Sequence, residues 1–305
     1  GGLGMEARRA EPPADFTEAK PNWPLAADHS RFVTCGSLTW HIQELGPQGA
    51  MPLLLVHGTG GATHSMAPLA TLLADRYRLL IPDLPGHGFT RNATTRHLSL
   101  PGMARTLAQL CQALDFSPAM GIGHSAGAAV LIEIALERHF ELRGIIGINA
   151  ALEPIEGNAI FSPLAKALFV NPFVPQAVAW QAKFTSLTRT LLRNTGSPVE
   201  QINTDAYEAL LRKPSHIGGA LGMMANWDLK PLRRRLPELK VPVELIVADD
   251  DTMVPAKVSR EASAEADAIT LTALPQGGHL MHELDPAAIA ARIDAMAANL
   301  TEAAA

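Results

Sequence analysis

The chain has 305 residues and a formal net charge of −5, which argues against a nucleic-acid-binding surface because such a surface needs a basic face. Hydrophobic residues make up 47% of the chain, enough for a sizeable core. With only two cysteines, Cys35 and Cys111, we expect two unpaired thiols rather than a disulfide. No signal peptide is visible and no apolar run reaches about 18 residues. We therefore expect a cytoplasmic protein without a transmembrane segment, with peripheral membrane contact left open.

The first half of the chain alternates predicted strands and helices. After an N-terminal arm over 1–30, which we expect to be irregular, residues 31–46 form a predicted hairpin. Further strands are predicted at 51–58, 77–88, 118–123 and 142–150. Helices are predicted between them at 65–76, 99–115 and 125–139. This alternation predicts an α/β fold with a mostly parallel central sheet and helices on both faces.

The alternation is interrupted in the second half of the chain. Residues 152–226 show helical patches with several Pro and Gly breaks but no convincing strand. The strand and helix pattern then resumes with segments at 241–250, 256–266, 268–274 and 286–298. We therefore predict a helical cap over 152–226, inserted after the sixth strand of a core formed by 31–151 and 227–300.

The segment 121–130 contains the pattern G-x-S-x-G around Ser125. The pattern alone is weak, because Gly-rich turns often contain an incidental serine. Here it follows a predicted strand and opens a predicted helix, which is the context of a nucleophile elbow. Side chains at Gly123 and Gly127 would collide with neighbouring backbone in such a turn. The sequence therefore predicts Ser125 as a nucleophile.

A serine nucleophile needs a base, and the base needs a carboxylate that orients it. Of eleven histidines, His279 fits best, because it follows the last predicted strand at the carboxyl edge of the sheet. His282 begins a helical segment, and we expect it to be a surface or cap-contact residue. The acidic loop after the strand at 241–250 offers three aspartates, of which we favour Asp251 because the loop must turn before its acid reaches His279. For the other two, a solvated acidic loop is the simpler interpretation.

A tetrahedral intermediate needs two hydrogen-bond donors for its oxyanion. The backbone N–H of Ala126, directly after the nucleophile, is one predicted donor. The other is expected from the Gly-rich segment 57–61, where we favour the N–H of Thr59 and keep Gly60 as the alternative. His57, His87 and His216 are expected to organise loops through hydrogen bonds rather than to take part in the reaction.

Four ordered motifs, "HGTGG" (57–61), "DLPGHG" (83–88), "GHSAG" (123–127) and "DTMVP" (251–255) with the later "GGH", resemble the α/β-hydrolase superfamily. The resemblance covers almost the whole chain from residue 31 to residue 300 and implies a cap at the predicted insertion. Further stretches, above all "GALGMMANWDL" (219–229) in the cap, resemble the BchO family of magnesium-chelatase accessory proteins. That resemblance implies a role alongside magnesium insertion in bacteriochlorophyll synthesis and names no substrate.

Two functions follow from these resemblances. The first is a serine hydrolase that acts on an apolar ester or acyl compound. The second is a non-catalytic accessory protein that holds a porphyrin or contacts magnesium chelatase. Cap residues expected to line a substrate pocket are Phe161, Trp180, Met223, Met224 and Trp227, although we expect more than half of the apolar cap residues only to pack the cap. The chain has no metal-ligand spacing, so we expect no cofactor and no metal site, and magnesium would enter only through a partner or substrate.

Overall fold

The computed structural model describes residues 5–154, 167 and 171–304. Within these residues a nine-stranded sheet has the order β1-β2-β3-β5-β4-β6-β7-β8-β9. The strands are β1 (Arg8–Ala10), β2 (Ser30–Cys35), β3 (Leu38–Leu45), β4 (Met51–Val56), β5 (Tyr77–Pro82), β6 (Met120–His124), β7 (Gly144–Ile148), β8 (Val243–Ala248) and β9 (Ile269–Leu274). In this sheet order, the pairs β1–β2, β2–β3 and β3–β5 are antiparallel. The pairs β5–β4, β4–β6, β6–β7, β7–β8 and β8–β9 are parallel. The predicted, mostly parallel sheet is therefore confirmed.

Helices cover both faces of this sheet. In the described residues the α-helices are α1 (Ala14–Ala19), α2 (Ala26–His29), α3 (Thr63–Leu73), α4 (Leu100–Ala113), α5 (Ala126–Leu136), α6 (Val174–Phe184), α7 (Leu187–Asn194), α8 (Gln201–Leu211), α9 (Pro214–Ala225), α10 (Lys230–Arg235), α11 (Lys257–Glu265), α12 (Met281–Leu284) and α13 (Pro286–Ala304). None of these described helices is long and apolar enough to cross a lipid bilayer.

The central strands are buried on both faces, and their side chains alternate between two apolar layers. Leu53 and Leu55 of β4 pack with α3 and α13 on one face. Leu54 and Val56 of the same strand pack with α4 and α5 on the other. This period of two is the geometry of an extended strand. It explains why these strands appear in the sequence as continuous apolar runs.

Residues 5–30 contain regular secondary structure, which corrects the expectation of an irregular arm for the described part of 1–30. They contain β1, α1 and α2, and β1 pairs with β2 at the edge of the sheet. Phe16 and Trp23 are buried against Phe32 and Phe89, and the Trp23 indole donates a hydrogen bond of 2.9 Å to Thr63 Oγ1. Widely spaced apolar side chains in a polar segment have no regular period, so the sequence pattern did not reveal this packing.

The long insertion follows β7. That strand is the sixth of those predicted from sequence, and the additional β1 makes it the seventh in the chain. In the described residues of the insertion, α6 to α9 are present and no strand is found. The insertion therefore lies above the carboxyl ends of the parallel strands, where α/β sheets place their ligand sites. We use the name cap below for the described residues of this insertion.

Candidate active site

Ser125 occupies the sharp turn between β6, which ends at His124, and α5, which begins at Ala126. Its backbone angles are φ 54° and ψ −116°, a conformation that costs roughly 1–3 kcal/mol for a residue with a side chain. The turn is held by two hydrogen bonds, from Ser125 N to the Ile148 carbonyl at 2.9 Å and from Ala151 N to the Ser125 carbonyl at 3.1 Å. Neighbouring β7 thus fixes a strained serine at the amino end of a helix.

The glycines on either side of the turn have a steric reason. A Cβ on Gly127 would lie 2.3 Å from the Val56 carbonyl oxygen, and one on Gly123 would lie 2.6 Å from the Ala128 nitrogen. Both neighbours are backbone atoms of the sheet and of α5, so they cannot move aside cheaply. The expectation that side chains at both positions would collide with backbone therefore agrees with the geometry.

His279 lies on the loop after β9, and Asp251 lies on the loop after β8. The distance from His279 Nδ1 to Asp251 Oδ2 is 2.9 Å, and both side chains are almost fully buried. The other oxygen of Asp251 accepts hydrogen bonds from the amides of Met253 at 2.8 Å and Val254 at 3.1 Å. Because Nδ1–H donates to a fixed carboxylate, neutral His279 keeps its lone pair on Nε2.

Ser125 and His279 line one cavity of about 530 Å³, together with Thr59 and Ala126. The Nε2 atom of His279 makes no hydrogen bond to any group in the described part of the chain. The N–H of Ala126 is the first of α5, and a first helical N–H has no acceptor within its own helix. Thr59 borders the cavity, whereas Gly60 is absent from the described lining. The predicted nucleophile, the predicted base and both predicted oxyanion donors therefore border one space.

The remaining cavity wall is largely apolar. Its other described residues are Ala151, Glu153, Pro154, Asn194, Met224, Trp227, Leu229, Thr252, Met253, Val254 and Pro255. A volume of this size and an apolar wall with few polar groups are typical of small-molecule sites. The cavity lies between the carboxyl edge of the sheet and the insertion.

The predicted pocket residues are only partly brought together there. Met224 and Trp227 line the cavity, whereas Met223 is fully buried and contacts Thr59 Oγ1 through its sulfur at 3.2 Å. Trp180 is 66% exposed and is not in the described lining, so the expectation that it lines the pocket is wrong. Phe161 lies outside the described residues. Whether an apolar residue of the insertion lines the cavity depends on which face of its helix packs inward, and composition alone does not reveal that face.

A family sequence model described as "Alpha/beta hydrolase family" matches residues 53–292. The chain belongs to the α/β hydrolase family.

Three relatives illustrate the range of this similarity. The chain is 38% identical to the magnesium-chelatase 30 kDa subunit of Rhodobacter capsulatus over 86% of this chain and 92% of that protein. This match confirms the resemblance to magnesium-chelatase accessory proteins. The chain is 28% identical to a pimeloyl-[acyl-carrier protein] methyl ester esterase of Xanthomonas oryzae pv. oryzae, over 78% of this chain and 91% of that protein. A crystal structure of an α/β hydrolase fold protein from Burkholderia ambifaria superposes with a TM-score of 0.71 at 20% identity, covering 84% of this chain and 93% of that one. The last similarity shows the fold alone.

The loop that carries His279 in this α/β hydrolase is held by Asp250. Its carboxylate accepts hydrogen bonds from the amides of Gly278 at 2.8 Å and Gly277 at 3.3 Å. Both glycines have positive φ, 144° at Gly277 and 71° at Gly278, so the loop needs residues that tolerate this conformation. Asp249 instead pairs with Arg260 at 2.7 Å. Asp249 and Asp250 are both exposed, as the interpretation of a solvated acidic loop expects, and Asp250 in addition shapes the turn before the histidine.

Asn149, at the end of β7, is a positioning residue that the sequence did not reveal. Its Nδ2 donates to the carbonyls of Gly278 and His279, both at 3.0 Å, and its Oδ1 accepts from Ala248 N at 3.0 Å. The His279 carbonyl also accepts a 2.8 Å bond from His124 Nε2. A buried asparagine directly after an apolar strand was the available signal. These bonds join three neighbouring strand ends to the histidine loop.

The cap contacts the same loop through a short segment between α7 and α8, Thr195–Ser197, which we call the strap. The His279 amide donates to the Thr195 carbonyl at 2.8 Å. Ser197 Oγ donates to the Gly277 carbonyl at 2.6 Å and accepts from the Leu280 amide at 2.9 Å. Three hydrogen bonds from the cap therefore surround the candidate base.

Two further buried histidines, His57 and His216, join loops around the site. The His57 ring accepts from the Leu84 amide at 2.9 Å and donates to the Gly58 carbonyl at 2.7 Å. His216 accepts from the Gly88 amide at 2.9 Å and donates to the Gly60 carbonyl at 3.0 Å. Burial lowers the pKa of His216 to about 4, so its ring is neutral at pH 7. Both rings act as expected from sequence, as bridges between loops.

His282 is fully buried, which corrects the expectation of a surface position. Its Nε2 bonds to Ser65 Oγ at 2.9 Å, and the same hydroxyl donates to Glu283 at 2.9 Å. Glu283 also accepts hydrogen bonds from Asn203 at 2.6 Å and Tyr207 at 2.5 Å, both on cap helix α8. Burial raises the pKa of the Glu283 carboxyl to about 7, although these hydrogen bonds oppose the shift. A buried polar cluster thus joins cap and core.

Proposed function

We propose that this α/β hydrolase is a serine hydrolase that acts on an apolar ester or acyl compound, in association with magnesium insertion in bacteriochlorophyll synthesis. One observation carries the proposal. The Asp251–His279 hydrogen bond leaves His279 Nε2 as an acceptor on the same cavity that contains Ser125 in a strained turn. Backbone strain and a buried base with an orienting carboxylate, at one cavity, are features of nucleophilic sites.

In the proposed reaction, Ser125 Oγ attacks the substrate carbonyl carbon while its proton passes to His279 Nε2. The imidazolium is stabilised by Asp251, which stays ionised. The carbonyl oxygen becomes an oxyanion and accepts hydrogen bonds from the N–H groups of Thr59 and Ala126. Collapse of the intermediate breaks the bond to the leaving group, which takes the proton from His279. Water, deprotonated by His279, then hydrolyses the acyl-enzyme by the same route.

The site favours an apolar acyl group. Most of the described cavity wall is aliphatic, thioether or indole, and it includes Met224, Trp227 and Leu229. Contact with such side chains stabilises an apolar group by about 25 cal/mol per Å² removed from water. The esterase relative acts on a methyl ester, according to its name, which supports the reaction class without identifying the substrate.

A fluorophosphonate reagent tests the proposal directly, because it reacts only with an activated serine. We expect covalent labelling of Ser125 in the native protein and none in Ser125→Ala. We also expect hydrolysis of p-nitrophenyl esters by the native protein, with a preference for longer acyl chains. A folded protein, shown to melt cooperatively, that is neither labelled nor active on any ester would overturn it.

The 38% identity to a magnesium-chelatase subunit favours a second function, an accessory protein that binds a porphyrin or the chelatase without turnover. In that case Ser125→Ala retains full function in pigment synthesis. Protoporphyrin would quench the fluorescence of Trp227, which borders the cavity, with equal affinity in native protein and Ser125→Ala. If the folded Ser125→Ala protein fails to restore pigment synthesis, the second function is excluded and the hydrolase is favoured.

A further inference from the structure

Helix α6 of the cap carries its large aromatic side chains on the outside. Phe173, at the start of the helix, is 75% exposed, Trp180 is 66% exposed and Phe184 is 68% exposed. The side chains that α6 buries are those of Ala179 and Ala182. A helix that only needed to pack on the core would bury its aromatic residues and expose its alanines.

The three aromatic residues lie on one side of the helix and form what we call the aromatic face. At 3.6 residues per turn, the positions of Phe173, Trp180 and Phe184 fall within about 40° of one another, and Ala182 lies opposite. The rings of Trp180 and Phe184 are in contact, with centroids 5.1 Å apart. Exposed clusters of this kind, unlike single exposed apolar side chains, mark surfaces that bind another apolar phase.

Positive charge borders the aromatic face. The chain as a whole has a net charge of −5, yet residues 171–199 contain three cations, Lys183, Arg189 and Arg193, and no acidic residue. All three are exposed. No ion pair joins any of them to another group in the described ranges. Lys183 on α6 and the two arginines on the following helix, none of them ion-paired within the described ranges, place positive charge next to the aromatic face along the chain. Such a combination is complementary to an anionic lipid surface.

A cleft on α7 offers a place for a lipid headgroup. Arg189 and Arg193, four residues apart on this helix, line an open cleft of about 430 Å³ with Gly196 and Ser197. Residues four apart lie on the same side of a helix, so both guanidinium groups border one space. Guanidinium groups bind phosphate oxygens through paired hydrogen bonds.

We propose that the aromatic face and the cations of α6 and α7 dock this protein on an anionic lipid bilayer. The rings of Trp180 and Phe184 enter the boundary between headgroups and acyl chains, as aromatic residues do at membrane interfaces. Lys183, Arg189 and Arg193 bind the phosphate groups around them. The docked protein is peripheral to one leaflet and crosses no membrane at α6 or α7.

The docking surface is adjacent to the candidate active site. Asn194, the last residue of α7, lines the catalytic cavity, and its carbonyl accepts a 3.3 Å hydrogen bond from Thr252 on the Asp251 loop. Docking therefore brings the cavity close to the lipid surface, from which an apolar compound can enter without crossing water. The docking itself does not depend on the proposed hydrolase chemistry.

Intrinsic fluorescence measures the proposed contact in the full-length protein. The chain has four tryptophans. Trp23 and Trp40 are buried and Trp227 is half-buried in the cavity, so Trp180 is the one that lipid can reach at the surface. We expect vesicles of 70% phosphatidylcholine and 30% phosphatidylglycerol to shift the emission to the blue, and brominated acyl chains to quench it. Trp180→Phe keeps the aromatic side chain, so it should cosediment with the vesicles and lose the emission change.

Variants separate the two parts of the surface. Trp180→Gln with Phe184→Gln should weaken cosedimentation roughly tenfold to a hundredfold, because two large apolar side chains no longer leave water. Neutralising Lys183, Arg189 and Arg193 to Gln should weaken it about fivefold per cation and remove its salt dependence. Leu72→Gln is the matched control, since Leu72 is an exposed apolar residue on α3 and belongs to neither α6 nor α7. Ser125→Ala should bind vesicles like the native protein, which separates docking from catalysis.

Two results would overturn the docking proposal. One is the absence of cosedimentation with anionic vesicles at low salt. The other is binding that the Trp180 and Phe184 double variant leaves unchanged. Concentration-dependent self-association that the same double variant abolishes, without vesicle binding, would instead identify the aromatic face as a protein interface and would also exclude the membrane.

Discussion

At the scale of single residues, three consecutive aspartates have three different environments. Asp249 forms an exposed ion pair with Arg260, and Asp250 holds the backbone of the histidine loop. Asp251 alone reaches the ring of His279. The difference arises from the turn after β8, because successive side chains in a turn point in different directions. The proposal that Asp251 orients the base therefore makes a position-specific prediction.

Asp251→Asn should slow fluorophosphonate labelling of Ser125 by roughly 10³–10⁴-fold. An amide at this position neither stabilises the imidazolium nor secures the tautomer that leaves Nε2 free. The rate constant for labelling, measured by mass spectrometry over time, tests this expectation. Asp249→Asn is the matched control and should be labelled at the native rate. Equal rates in the two variants would exclude Asp251 as the orienting acid.

At the scale of elements, the histidine loop is supported from two sides. Asn149 at the end of β7 binds it from the sheet, and the strap of Thr195–Ser197 binds it from the cap. The loop has two consecutive glycines with positive φ, so its own backbone preferences do not hold it in place. Hydrogen bonds from both neighbours therefore determine where His279 lies.

Ser197→Ala should lower kcat for p-nitrophenyl ester hydrolysis by about tenfold and leave KM nearly unchanged. The substitution removes the hydroxyl that bonds to both Gly277 and Leu280, and buried backbone groups without partners cost about 1–3 kcal/mol. Steady-state kinetics provide the test. The control is Thr190→Ala, which removes an exposed hydroxyl bonded within α7. A raised KM with native kcat would mean that the strap shapes the pocket and does not position the base.

At the scale of the whole molecule, cap and core are joined by a buried polar cluster as well as by apolar contacts. Glu283 of the core accepts hydrogen bonds from Asn203 and Tyr207 of cap helix α8 and from Ser65 of α3. Its carboxyl is fully buried, and burial raises its pKa to about 7. A buried carboxyl that favours its protonated form makes the stability of the folded protein depend on pH.

The free energy of unfolding should fall between about pH 4.5 and pH 7 because of Glu283. Below pH 4.5 the carboxyl is protonated in both states. Between these values the folded protein keeps a proton that the unfolded chain has released, so rising pH favours unfolding. The contribution reaches about 3 kcal/mol above pH 7. Glu283→Gln, which mimics the protonated acid, should therefore gain stability relative to the native protein as the pH rises.

Urea unfolding at several pH values between 4 and 8 measures this difference. Glu208→Gln, which removes an exposed carboxylate paired with Arg212 on α8, is the control and should follow the native pH dependence. If the free energies of unfolding of Glu283→Gln and the native protein change with pH in the same way, the pKa of the Glu283 carboxyl is not raised in the folded protein.

The sequence alone determined the fold class and the order of the motifs. Continuous apolar runs predict buried strands, and helical periods between them predict crossovers, so the parallel sheet followed from local pattern. Gly123 and Gly127 predicted a tight turn at Ser125 because only glycine fits there. The choice of His279 and Asp251 followed from the rule that parallel strands present their carboxyl ends at one edge. These inferences need only local geometry.

Tertiary structure decided which face of each cap helix packs inward and which side chains from distant segments meet. Trp180 faces solvent because α6 packs through its alanines, an arrangement that helical period alone does not distinguish from its reverse. Asn149, Asp250 and Ser197 hold the histidine loop through contacts between segments far apart in the chain, which leave no periodic signal. Strands, helices and turns depend on the spacing of neighbouring residues, so the sequence predicts them. Contacts between distant segments form only when the chain folds, so the sequence pattern does not show them.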